Sequence, residues 1–188
     1  MNIFFKILEK IFKRLKEILK RQKFKNQNLR PTTSKVLGAL FSMIGHANLE
    51  GKNFLDLYTG TGAIGIRSLD LGAKNCFFVD INHEFLTSIK NKLKKLNFEG
   101  ESMLIRANCE TQLNKIDKVF DFIFIDPPYD QQPFDKILEQ LINYKLVHEK
   151  TKIFLEHSSR IKLSDEYKIF KKKQEKKYGD TMISVYAS

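Results

Sequence analysis

The chain reads as a doubly wound α/β domain, and three observations lead there. Short apolar runs alternate with amphipathic segments from Asn53 to His157, a glycine-rich turn joins the first run to the helix after it, and two closing runs follow each other with no helix between. Alternation of that kind implies parallel strands covered on both faces. The closing pair implies an antiparallel hairpin at one sheet edge.

Each element has its own signal. "IFFKILEKIFKRLKEILKRQ" repeats apolar residues at Phe4, Leu8, Ile11, Leu15 and Ile18, one stripe of an amphipathic helix with Lys and Arg opposite. That stripe must dock on the domain, a second copy, a partner or a membrane surface. "KNQNLRPTT" breaks the helix, and Thr32 or Thr33 can cap the next one, "SKVLGALFSMIG", which stops at Gly45. Then come a strand in "NFLDLY", a helix in "GAIGIRSLDLG", a strand in "NCFFVDI", a helix in "HEFLTSIKNKLKKLN" and strands in "SMLIRA" and "FDFIFID". A helix is expected within residues 134–144, a strand in "TKIFLEH", and two strands with a tight connection in "EYKIFKKKQEKKYGDTMISVYAS". The expected division is residues 1–28, a basic helix and linker, and residues 29–188, one α/β domain.

Composition narrows the class. At 188 residues, 42% hydrophobic and 29% charged, the chain can bury a core and is neither disordered nor fibrous. Ten Lys or Arg and two Glu fall in residues 1–30, a net +8 against +11 for the whole chain. A second basic cluster is "KIFKKKQEKK". Such patches favour polyanions, either nucleic acid or an anionic membrane surface. Cys76 and Cys109 fit a reducing compartment, and His46, His83, His148 and His157 lack metal-ligand spacing. These six read as structural or solvent-facing, with no metal expected. Lysines interrupt every apolar run near the N-terminus, so neither a signal peptide nor a membrane span is expected, and the cytoplasm is the default location.

Two motifs carry chemistry. In "FLDLYTGTGAIGI" a strand runs into Gly60, Gly62 and Gly65 and then a helix. The spacing matches a dinucleotide fingerprint, in which glycine lets the backbone approach a ligand at a helix N-terminus. Asp80 ends the next strand, where an acid can accept from ribose hydroxyls. The pair points to an adenosine-containing cofactor. Nicotinamide would suit the glycines, but Asp56 stands where it could face a cationic amino-acid group.

The second motif is "DFIFIDPPYD". By the rule that ligands sit beyond the carboxyl ends of the strands, Asp126 to Tyr129 project into the cofactor crevice. An exocyclic nucleobase amine is a poor nucleophile because its lone pair is delocalised. Acceptors on both of its N–H bonds favour a more pyramidal nitrogen and aim the lone pair outward. Asp126 supplies one acceptor and the Pro127 carbonyl the other. Pro127 and Pro128 fix φ and leave no competing N–H, and Tyr129 offers a stacking face worth roughly 1–3 kcal/mol.

"LRPTTSKVLGALFSMI", "FLDLYTGTGAIGIRSLDLGA", "FDFIFIDPPYD" and "YGDTMISVY", in this order, resemble the bacterial 16S ribosomal RNA guanine-N2-methyltransferase family of the RsmD type. The likeness covers about residues 29–186. It implies a Rossmann-like class I methyltransferase fold, with a seven-stranded, mostly parallel sheet and an antiparallel C-terminal hairpin. It implies S-adenosylmethionine as cofactor, and ribosomal RNA or the small ribosomal subunit as partner. Gly60, Gly62 and their neighbours Tyr58 and Thr59 would hold the methionine end, with Asp80 and Ile81 at the ribose. Asn108 and Cys109 would lie near the adenine, and Arg30, Thr32 and Thr33 beside the cofactor.

One feature departs from the family, whose members usually begin with a basic, glycine-containing hairpin where this chain has its amphipathic helix. RNA grip, packing on the domain, self-association and membrane contact all stay open for that helix. A DNA adenine-N6 or cytosine-N4 methyltransferase shares the chemistry but needs surface to read base edges. A protein glutamine methylase would carry Asn at Asp126. A non-catalytic RNA-binding or membrane-binding module with a degenerate cofactor fold would have no reason to keep Asp56, Gly60, Gly62, Asp80, Asp126 and Tyr129.

Overall fold

A computed structural model describes residues 32–128 and 133–188. The expected N-terminal helix and Arg30 lie outside the described residues, as does Tyr129. The elements follow in order: α1 (Thr32–Ile44), a 3-10 turn (His46–Leu49), β1 (Asn53–Leu57), α2 (Ala63–Asp70), β2 (Asn75–Asp80), α3 (His83–Leu96), β3 (Ser102–Arg106), a 3-10 turn (Leu113–Lys115), β4 (Phe122–Ile125), α4 (Phe134–Asn143), β5 (Lys152–Ser158), β6 (Glu166–Tyr167), β7 (Phe170–Tyr178) and β8 (Thr181–Ala187). They form one sheet in the order β3-β2-β1-β4-β5-β8-β7-β6. Strands β3, β2, β1, β4 and β5 pair in parallel, and β8, β7 and β6 add antiparallel at one side.

Period-two alternation divides the sheet into two faces. Leu55, Leu57, Ile123, Ile125, Ile153 and Leu155 pack with Phe134, Ile137 and Leu141 of α4. Phe54, Phe78, Phe122, Phe124 and Phe154 lie on the other face with Leu40, Phe41 and Ile44 of α1 and Ile89 and Leu93 of α3. Parallel strands buried on both sides leave little polar surface within them, which is why these runs read as almost purely apolar.

The doubly wound, mostly parallel expectation holds, with one addition at the C-terminal end. "EYKIFKKKQEKKY" is broken after two residues, because Lys168 adopts φ 56° and turns the chain. Glu166 and Tyr167 pair back on Lys171 and Phe170 as an eighth short strand. The tight β7–β8 connection uses Gly179, at φ 66°.

Candidate active site

Strand order changes direction at β1, since β2 lies on one side of it and β4 on the other, and a ligand crevice is expected beyond the carboxyl ends of these strands. The loop leaving β1 is held from beneath. Asp56 is buried, and its Oδ2 accepts from Thr59 Oγ1 at 2.8 Å and the Gly65 amide at 2.9 Å. Burial pushes its carboxyl up to about 7, with the nearby charges of Asp126 and Asp80 adding to the rise against those two hydrogen bonds. Its carboxyl group is engaged in shaping the loop.

The three loop glycines do different jobs. A Cβ at Gly65 would lie 2.3 Å from Phe78 Cε1, so this glycine lets α2 sit against β2. At Gly62, φ is 74° and a Cβ would lie 2.7 Å from Ile89 Cγ1, so α3 fills that space. Gly60 has φ 50° and nothing nearer than the Tyr58 carbonyl at 3.9 Å, so among the three it is the one that looks onto open space. Tyr58 also takes a positive φ, 57°. Lys92 of α3 secures the loop by donating to the Thr61 carbonyl at 2.8 Å.

Asp80 stands beside this loop. Its Oδ2 accepts the Gly60 amide at 3.0 Å and its Oδ1 the Asn82 amide at 2.8 Å. The next residue, Ile81, is a large apolar side chain left 63% exposed. An acid next to an uncovered apolar surface, across from a glycine with open space, fits a nucleoside carrying ribose hydroxyls and an apolar base. Asn108 follows β3, with its Oδ1 accepting from the Glu110 amide at 2.8 Å. Cys109 is in the core rather than at the surface, and burial pushes its thiol up to about 12. Thr32 and Thr33 open α1.

The β4 end completes the crevice. Asp126 is half-buried and its amide donates to the Leu57 carbonyl at 3.5 Å, extending the ladder past the last strand residue. Register then settles which residues share a row. Leu57 pairs with Val79 and with Ile125, and Ile125 pairs with Leu155. One step further lie Asp80, Tyr58, Asp126 and Glu156, on four neighbouring strands. Glu156 is a buried acid that went unnoticed at the sequence level. Its signal was present, since "KIFLEH" ends an apolar run on an acid just as "FIFID" does. Pro127, Pro128, Glu156, His157 and Ser158 line a small cavity at this end of the strands. A larger cleft, lined by Met43, Lys152, Phe154, Lys173 and Val185, lies at the opposite end of β5 and has no acid among its lining residues. Among the described residues no group of three His, Cys, Asp or Glu could hold a metal ion.

The architecture is the class I, Rossmann-like methyltransferase fold. Residues 16–187 match the family described as Conserved hypothetical protein 95, and the chain belongs to that family. It is 32% identical over 160 residues to a Bacillus subtilis protein named "Putative rRNA methyltransferase YlbH", covering 84% of this chain and 86% of that one. It is also 32% identical, over 80% of each chain, to "Ribosomal RNA small subunit methyltransferase D" of Buchnera aphidicola. Among solved structures, "Putative methyltransferase yhhF from Escherichia coli" superposes with a TM-score of 0.74 at 20% identity, over 85% of this chain and 88% of that one, a likeness of fold.

Proposed function

We propose that this protein transfers a methyl group from S-adenosylmethionine to the N2 amine of one guanine in 16S ribosomal RNA. The observation that carries the reading is the placement of Asp126 and Pro127 at the end of β4, one strand from the glycine loop of β1. The family's relatives, named for ribosomal RNA, supply the substrate class.

The cofactor supplies an electrophilic methyl group, and the residues of this chain do the rest. Gly60 leaves room for close approach, Asp80 accepts from the ribose hydroxyls and Ile81 covers the apolar base. Tyr58, Thr59 and Gly62 shape the turn around the methionine end, with Arg30, Thr32, Thr33 and Asn108 around the rest of the cofactor. Asp126 accepts one N2–H bond and the Pro127 carbonyl the other, which turns the lone pair toward the methyl carbon. Positioning of this kind lowers a barrier by several kcal/mol. Pro128 stiffens the turn, and Tyr129 stacks on a guanine rotated out of its helix. N2 gains the methyl group and loses a proton to Asp126 or to water.

Residues 1–28 form the RNA grip in this reading, and residues 29–188 the methyltransferase domain. The test is a map of methylated nucleotides in ribosomal RNA from cells with and without the gene. One N2-methylguanine of the small subunit should vanish with the gene and fail to return with Asp126→Ala. Loss of a different modified base, or restoration by Asp126→Ala, would refute the assignment.

A further inference from the structure

The row of acids at the carboxyl ends of the strands includes Glu156, beside those assigned to cofactor binding and amine orientation. Asp126 and Glu156 occupy adjacent positions on neighbouring parallel strands, one register step beyond the Ile125–Leu155 pair. Phe122 and Phe124 precede Asp126 on one sheet face, and Phe154 precedes Glu156 on that same face. Alternation therefore sends both carboxylates to one side, with backbones about 4.8 Å apart. Glu156 is only 8% exposed, so water competes poorly with a hydrogen bond made there. Its strand end is held firmly. On the opposite face, His157 Nδ1 donates to the Ser158 carbonyl at 3.0 Å, and Nε2 accepts from Ser184 Oγ at 2.8 Å.

Two neighbouring acceptors suit only one of the amino-bearing bases. Guanine carries N1–H directly beside its N2 amine, two donors side by side. Adenine and cytosine place an unprotonated ring nitrogen beside their amines, and a carboxylate facing that lone pair is repelled. We propose that Glu156 is the specificity-determining residue of this site, accepting the guanine N1–H while Asp126 holds the adjacent amine. The proposal rests on the guanine-N2 reading above. It assigns base choice to the end of β5, and methyl-transfer geometry to the end of β4.

The test uses full-length protein and small-subunit RNA carrying either guanine or 2-aminopurine at the mapped nucleotide, both as free RNA and as reassembled subunit. 2-Aminopurine keeps the exocyclic amine and lacks N1–H. Wild-type enzyme should prefer guanine in kcat/KM by roughly a hundredfold or more, because a site built around a donor rejects an analogue lacking it. Glu156→Ala, which removes the acceptor, should reduce that preference to less than about tenfold, mainly by slowing guanine, with cofactor affinity by calorimetry unchanged. Glu156→Asp, which keeps the carboxylate, should retain most of it. A guanine preference that survives at its wild-type value in Glu156→Ala overturns the proposal. So does a wild-type enzyme that methylates the two bases equally. Wild-type enzyme inactive on guanine RNA would remove the substrate reading itself, a result visible before any variant is made.

Discussion

The carboxylate of Asp80 accepts the Gly60 amide at 3.0 Å, so the acid that ends β2 grips the glycine turn that leaves β1. Asn82, tied to the other oxygen at 2.8 Å, also caps α3 by accepting from the Glu84 amide. One side chain therefore aligns the turn, the strand end and the next helix. Asp80→Ala should weaken S-adenosylmethionine binding by tenfold to a hundredfold, about 1.4–2.7 kcal/mol, with Asp80→Asn in between. Calorimetric titration measures this. Equal affinities would remove Asp80 from the cofactor crevice.

The loop glycines should separate by cause. Gly65→Ala drives a methyl group into Phe78 and Cys76, both in the core, and should cost about 3 kcal/mol or more. Gly62→Ala meets Ile89 and a left-handed φ, for about 1–3 kcal/mol. Combining it with Ile89→Ala relieves the clash but not the φ strain. Urea unfolding should show the double variant less destabilised than the sum of the two single changes. Strict additivity would place the Gly62 cost in φ alone.

Asp56 gives a pH signature. Its carboxyl is raised to about 7 in the fold, so the folded chain holds a proton that the unfolded chain releases in the ordinary carboxyl range. This contribution is fully present in acid, falls as pH rises toward 7, and is flat above. Asn mimics the protonated acid. Asp56→Asn should match wild-type stability near pH 4 and exceed it at pH 8 by on the order of 2–4 kcal/mol. Urea unfolding without cofactor at both values decides it, and a constant difference would refute the buried-acid account.

RNA grip by the basic N-terminal segment predicts a salt effect. Neutralising Lys13, Arg14, Lys16 and Lys20 together should weaken RNA binding and flatten the log–log salt slope by up to about 3. Lys173, Lys176 and Lys177, exposed on β7, make a matched comparison. An unchanged slope in the N-terminal variant would assign that segment another task.

Much of this molecule was legible in the chain. "FLDLYTGTGAIGI" and "FIFIDPPYD" announce strand, turn and crevice because apolar periodicity and glycine or proline punctuation act over a few residues. The eighth strand was missed because it depends on one residue, Lys168, entering a left-handed conformation that lysine rarely adopts. Asp56 reads in the chain as able to face a cationic group, whereas in the fold it is buried and accepts from Thr59 and Gly65, because burial depends on what packs above a residue, which no local pattern reports.

The sequence by itself determined the order of strands and helices, the glycine and proline turns, and the acids at the strand ends. Tertiary structure decided which of those acids become neighbours. Asp126 and Glu156 are separated by an entire helix in the chain, yet share a row because hydrogen bonds between β4 and β5 hold one register. That register follows from burying alternate residues against helices on both faces, since a one-residue slip would turn Phe124 and Phe154 to the wrong side.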